Sequence, residues 1–292
     1  MSERAVGIAP LGVGNDLDQV VDAARAVRRR RRRRDVLVLN GARLAVLVAA
    51  LLVWHLASLA TSPLILPGPV SVAAQLVRSW EVIVANLWVT LGEIGLGFVA
   101  GSAIGIVVGT AIAHSRRLES ILRPYIATSQ AVPKAALAPL FVLWLGFGLG
   151  PKVTIAALIS FFPLLENTIV GLRRVDPDAL KLFASLGASS WQVFVKLRLP
   201  HGLPYILTGL KVGIVFATVG AVIAEFVTSN KGLGALIMQA QGNFDTRLMF
   251  AVIIVLTVMG VVLYEILQLV ERWALRTWNL GEGEIENRRT ET

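Results

Sequence analysis

The chain of 292 residues contains no cysteine and only three histidines. The first absence excludes disulfides, thiolate metal sites and cysteine nucleophiles. His55, His114 and His201 stand at no ligand spacing, so a membrane-embedded metalloenzyme is a weak reading. Charge is scarce as well: 16% of the residues are Asp, Glu, Lys or Arg, against about a quarter in soluble domains. No stretch fits G-x-x-x-x-G-K-[ST], so the backbone cradle and lysine that grip a nucleotide phosphate are missing. No solenoid-length repeat occurs, and no alternating ten-residue pattern of the kind that builds a membrane barrel.

What is present is apolar. Hydrophobic residues make up 55% of the chain and the mean hydropathy is +0.69. A membrane span needs about 20 such residues, and six runs qualify, at 43–60, 87–113, 125–147, 152–171, 205–228 and 248–270. An all-α polytopic membrane protein of about six transmembrane helices is expected. The net charge of +9 would ordinarily raise nucleic acid as a partner, so the positions of the basic residues decide. Arg28 to Arg34 precede the first run, and most other Lys and Arg fall in alternate gaps; Arg78, Lys152, Lys231 and Arg247 alone fall on the other side. That is the positive-inside pattern, which explains the charge without nucleic acid and places both termini in the cytoplasm.

The chain then divides as follows. Residues 1–35 form a disordered Arg-rich cytoplasmic tail with no cleavage site, 36–60 an uncleaved first span and 61–86 an external segment. Residues 87–272 form a core of five spans, and 273–292 a second cytoplasmic tail. Within 61–86, Pro63, Pro67 and Pro69 predict a turn followed by a helix at the membrane interface. The outer loop 229–247 carries Leu233, Leu236, Ile237 and Met238 and reads as a re-entrant or surface helix, either at the mouth of a pathway or without solute contact.

The cytoplasmic loop 176–200 is too apolar for a mere connector. Asp176-Pro177 offers an N-cap and a proline at the first helical position, and Gly187 a stop. Leu180, Phe183 and Ala184 share one face of the first short helix. Ser189 with Gln192 three residues on reads as a capping box for a second, whose face carries Trp191, Phe194 and Val195 and which Leu199-Pro200 ends. Two short helices with apolar faces either dock into a partner's groove or fold back on the span ends.

These residues carry a resemblance. Gly187, nine residues, then Leu197-x-Leu199-Pro200 resembles the E-A-A-x3-G-x9-I-x-L-P loop of permease subunits of binding-protein-dependent ABC importers. PLILPGP (63–69), ALAPLFVLWLGFG (136–148), FFPLLENTIVGLRRVDP (161–177) and AEFVTSNKGLGALI (224–237) are similar to its nitrate, sulfonate, taurine and vitamin-precursor branch. The resemblance implies a type I importer permease fold and a coupling helix gripped by an ABC ATPase through Lys181, Leu182, Phe183, Gly187, Ala188, Ser189, Trp191, Phe194, Leu199 and Pro200. It also implies two permease chains, most simply a homodimer, with two ATPase copies that hold ATP and Mg. A periplasmic or lipid-anchored binding protein would deliver the solute. This chain would hold no cofactor and catalyse nothing. Lys181, Leu182 and Phe183 stand where the family has E-A-A, so a basic residue replaces the first acidic contact. FFPLLENTIVGL and QAQGNFDT look most like permeases for thiamine's pyrimidine precursor or for riboflavin; sulfonate, taurine, nitrate or bicarbonate is the alternative. A stand-alone secondary transporter would want inverted repeats and grouped midspan carboxylates, and neither is seen.

Ionisable groups inside spans face a cavity, a partner or the interface. Lys134, beside Pro133 and short of Pro139, lies where prolines imply a broken helix; it either lines the pathway or reaches to the cytosolic face. Glu166 and Asn167 either line the route or bind a neighbouring helix. Glu225, near the outer mouth, and Glu93, among small residues, are candidates for a helix partner, Glu225 also for the pathway. Glycines 92, 95, 97, 101, 105 and 109 form a small-residue stripe that serves either a seam between two chains or packing within one.

Overall fold

The computed structural model describes residues 38, 41–228 and 231–277. The Arg28–Arg34 run, the tail 1–35 and positions 278–292 lie outside the described residues. Every regular element described is helical, and the chain divides into two units, residues 1–62 and 63–292. In the first, α1 (Gly41–Leu59) is long and apolar enough to cross a membrane, with Leu44, Leu52 and Leu59 turned outward as lipid-facing residues are.

The second unit begins with α2 (Pro69–Arg78), opened by the proline expected there. α3 (Trp80–His114) follows at once. Residues 80–86 are thus continuous with the helix of the second apolar run: nothing between Trp80 and His114 is a proline, and the helix runs 35 residues, about 52 Å at 1.5 Å per residue.

The third apolar run is not one continuous helix. α4 (Arg116–Ala131) is capped by Ser115, whose hydroxyl accepts from Leu118 N–H. A 3-10 turn (Lys134–Leu137) and α5 (Ala138–Leu145) come next, and the two limbs meet at 79°. Pro133 accounts for the bend: it has no N–H, and it holds Val132 extended at φ −66°, ψ 125°. Pro139 sits in the first turn of α5, where its missing N–H is tolerated. The broken helix expected from the two prolines is observed.

After a turn at Gly146 and Gly148, both with positive φ, α6 (Leu149–Arg173) returns through the bundle. α9 (Leu199–Thr228), α10 (Leu233–Gly242) and α11 (Thr246–Thr277) complete it, and α7 and α8 of the intervening loop are described below. α6 is the central helix, sandwiched between α3 and α9. The stripe on α3 faces it: a Cβ at Gly101 would lie 2.4 Å from the Ala157 carbonyl, and one at Gly105 2.8 Å from Leu164 Cβ. Gly220 of α9 matches from the other side, 2.9 Å from Ala156 Cα. Close approach of this kind holds helices together where lipid removes the hydrophobic drive. Of the two roles open to the stripe, Gly97, Gly101, Gly105 and Gly109 serve internal packing; Gly92 and Gly95 have open space beside them.

α10 is not a surface helix. Leu233, Gly234, Ala235, Leu236, Ile237 and Ala240 are buried and complete the core between α9 and α11, while Met238 and Phe244 are exposed.

Candidate functional site: an apolar loop and a polar cavity

The loop folds from local signals. α7 (Pro177–Ser185) starts with Asp176 Oδ1 accepting from Asp178 N–H at 2.9 Å. It stops at Gly187, whose φ of +68° is open to glycine at no steric cost; its N–H donates to Ala184 O and that of Ala188 to Phe183 O. α8 (Ser190–Val193) opens on the capping box: Gln192 N–H donates to Ser189 Oγ at 3.3 Å, and Ser189 N–H to Gln192 Oε1 at 2.8 Å.

Leu199-Pro200 does not end this helix. A π-helical segment, Phe194–Arg198, leads straight into α9, and Leu199 N–H donates to Phe194 O five residues back. Pro200 falls at the second residue of the resumed α-helix, where a missing N–H is tolerated. The outcome is one helix from Ser190 to Val227.

The apolar residues of the loop part into two sets. Leu180, Phe183, Val193 and Phe194 are half-buried and Leu197 is buried, turned to the bundle. Leu182 (58% exposed), Leu186 (74%), Trp191 (71%) and, less fully, Val195 (38%) point outward. The outward face thus carries Leu182 and Leu186 rather than the expected Leu180 and Phe183; Trp191 stays on it, with its ring 5.7 Å from that of Phe194. Lys181 is paired to Asp178 at 2.8 Å on the surface. Two arginines that sequence reasoning used only for topology fasten the loop end. Arg198 Nη1 donates to Ala113 O and Arg173 Nη2 to Ile112 O, each at 3.4 Å, placing positive charge at the C-terminus of α3. Arg173 Nε also meets Glu119 Oε2 at 2.8 Å.

On the flank of the bundle, Lys134, Glu166 and Asn167 come together on an open cavity of about 390 Å³. Gln130 of α4 joins them: its side-chain amide donates to Glu166 Oε1 at 3.1 Å, and its backbone carbonyl accepts from Lys134 Nζ at 3.2 Å. Lys134 Nζ also lies 4.6 Å from the centroid of the Phe162 ring, within cation–π range. Asn167 donates to Pro163 O at 2.8 Å, and Phe162 and Phe216 add aromatic wall. Glu166 further lines a second cavity of about 270 Å³ nearer the loop, with Arg123, Arg173 and Arg174. Pro133 sets the bend beside Lys134 without lining the cavity.

Glu225 is not part of this group. It is fully buried under α10, accepting from Thr90 Oγ1 at 2.7 Å and from Gly234 N–H at 2.6 Å, so the structure corrects its pathway reading to a helix-binding one. Glu93 finds the partner expected of it in Lys152, at 2.5 Å. Lys152, counted among the few basic residues of the outer side, is buried because Glu93 offers a counter-ion within the bundle.

A bundle of long apolar helices, with an open, largely apolar groove that carries Lys134, Glu166 and Asn167 and a capped apolar loop at one end, has the make-up of a multi-pass membrane transport subunit. Residues 101–276 match the family described as binding-protein-dependent transport system inner membrane component, and the chain belongs to it. It is 38% identical over 218 residues to the riboflavin transport system permease protein RibX of Chloroflexus aurantiacus, covering 73% of this chain and 80% of that one. The formylaminopyrimidine transport permease protein ThiX of Halalkalibacterium halodurans is 32% identical, covering 72% and 85%. The aliphatic sulfonates transport permease protein SsuC of Bacillus subtilis, a putative assignment in its own name, is 34% identical, covering 76% and 81%. Among solved structures, an inward-facing form of the MetNI methionine ABC transporter superposes with a TM-score of 0.59 at 18% identity, over 69% of this chain and 98% of that one. The chain is thus an inner-membrane ABC importer permease, a transport subunit rather than a catalytic one, and its family implies an ATPase and a binding protein as partners.

Proposed function

We propose that two copies of this chain enclose one translocation route, that each loop 176–200 is gripped by an ATPase holding ATP and Mg, and that the loop and both termini face the cytoplasm. The observation that carries this reading is the outward set Leu182, Leu186 and Trp191, an apolar face that a groove on a partner covers. Closure of the two ATPases moves the loops, and the helices rock between states facing opposite sides, a two-state element biased by nucleotide.

The solute is a small heteroaromatic vitamin or precursor of the riboflavin or thiamine-pyrimidine class, handed over by the binding protein. Two features support this. The cavity joins aromatic walls, Phe162 and Phe216, to amides and one charge of each sign, Lys134 and Glu166, a lining suited to a planar polar solute. The riboflavin and formylaminopyrimidine permeases are among the relatives. The sulfonate relative and the ammonium of Lys134 favour a second reading, an organic sulfonate or similar anion.

Leu182→Asp and Trp191→Asp test the docking surface. Each chain is expected in the membrane in normal amount, with the ATPase lost on co-purification. Undiminished retention in both refutes the assignment. Binding of radiolabelled riboflavin, formylaminopyrimidine and taurine to the cognate binding protein separates the solute readings.

A further inference from the structure

The smaller cavity between α4 and α6, of about 270 Å³, has no task in the proposed transport. Arg123, Arg173 and Arg174 line it together with two carboxylates, Glu119 and Glu166. Its floor is apolar, since Ile126 packs on the core cluster that contains Ile169. Both carboxylates are already engaged. Glu119 Oε2 lies 2.8 Å from Arg173 Nε, and its Oε1 3.4 Å from Arg123 Nη1. Glu166 accepts from the Gln130 amide, which belongs to the larger cavity.

Positive charge and donors are both left over. Arg174 has the Tyr205 ring 5.6 Å from its guanidinium carbon, and among the described residues no carboxylate stands within ion-pair reach of it. Arg173 Nε sits beside Glu119, yet its N–H makes no hydrogen bond with any described residue. Three guanidiniums against two carboxylates leave one positive charge over. Charges of one sign gathered over a low-dielectric wall focus their field at the opening and draw in the opposite sign. Two of the three are also held in place, Arg173 by Glu119 and the Ile112 carbonyl and Arg174 by the ring. A planar fork held in this way loses little freedom when it meets an oxyanion.

We propose that this cavity is an oxyanion site taking one singly charged group, a sulfonate or a phosphodiester, gripped by Arg123 and Arg174 while Arg173 holds Glu119 aside. A monoanion balances the single charge left over, whereas a dianion overshoots it. Water brings such a group on a small solute, and a bilayer brings it on a lipid headgroup, for which basic pockets between spans are known hosts. The chemistry recognised is the same in both cases. The site needs no ATPase and no binding protein, so it stands apart from the docking surface and from the choice of solute for the larger cavity.

The chain has no cysteine, so one introduced thiol reports on the site alone. Val170→Cys places it on the cavity wall, and Ile126→Cys is a second reporter should the first not fold. The purified full chain in phosphatidylcholine nanodiscs is labelled with a sulfonate-bearing and with a trimethylammonium-bearing methanethiosulfonate, each rate divided by that on free mercaptoethanol. Comparing the two reagents cancels any change in the reactivity of the thiol itself. The anionic reagent is expected to react about tenfold faster, the effect of one excess charge a few ångströms away through a partly screened medium. Arg123→Gln with Arg174→Gln should make the two rates about equal, and Arg78→Gln in α2 should leave the preference intact. Equal rates in the unsubstituted site, a preference that survives the double substitution, or a cavity that neither reagent enters in either reporter overturns the proposal. Protection at constant ionic strength then identifies the source: slowing by methanesulfonate marks a soluble ligand, and slowing only by phosphatidylglycerol in the disc marks a headgroup. Slowing by neither also overturns the proposal, since the arginines would then supply a field without a site.

Discussion

Gly101→Ala asks whether close helix contact or helix propensity governs the centre of this bundle. The added methyl would sit 2.3 Å from Ser160 Oγ, 2.4 Å from Ala157 O and 3.0 Å from Ala157 Cα. Ser160 Oγ can rotate away; the α6 backbone cannot, so α3 and α6 must part by about 1 Å, given an ordinary carbon contact of about 3.5 Å. Overpacking of this kind costs about 1–3 kcal/mol, and alanine's better helix propensity returns about 1 kcal/mol. The net loss is up to about 2 kcal/mol, roughly a thirtyfold fall in the folding equilibrium at that limit. Gly95→Ala on the same helix is the control, because a Cβ there meets nothing within 4 Å; it keeps only the propensity gain of up to about 1 kcal/mol. Unfolding of both variants by denaturing detergent, followed by tryptophan fluorescence, gives the comparison. If Gly101→Ala unfolds no earlier than Gly95→Ala, the stripe does not hold α3 against α6 and the reasoning fails.

Removing the capping box with Ser189→Ala takes away the hydroxyl that Gln192 N–H donates to, at a cost of about 1 kcal/mol; faster amide exchange at 190–193 with unchanged exchange in α6 is expected, and protection equal to wild type would count against the cap. Lys211 Nζ of α9 meets Glu271 Oε2 of α11 at 2.6 Å, both side chains mostly shielded. Glu271→Ala strands that ammonium and should destabilise by more than the double change Lys211→Met with Glu271→Leu, which removes both charges. A double variant no more stable than the single would show that the ion pair itself, not the stranded charge, matters.

Much of this architecture was legible because bilayer and backbone impose simple rules. Proline spacing gave the break at Pro133, and Asp176-Pro177, Gly187 and the Ser189/Gln192 pair gave both loop helices, since caps are encoded within a few residues. Three things were not legible. Lys152 looks like any outer-surface lysine until Glu93, 59 positions away, is found beside it. Pro200 reads as a stop because local rules do not foresee a π-turn that rearranges the bonds before it. The loop's outward face was misassigned at Leu180 and Phe183 because helical spacing groups residues on a side without saying which side meets the bundle. In the cavity, Lys134, Glu166 and Asn167 were each identified singly; Gln130, which joins them, carries no charge to draw notice inside an apolar run.

The uninterrupted helix from Ser190 to Val227 carries a mechanical corollary. At 1.5 Å per residue it is a strut of about 57 Å, with Trp191 at one tip and Glu225 near the other. No slack linker lies along it, so a shove delivered to the indole arrives at the far tip as tilt or rotation of a stiff shaft. The widened turn at Phe194–Arg198 is a coupling in that shaft with an alternative winding, and rewinding it by a residue would turn everything beyond by about 100°.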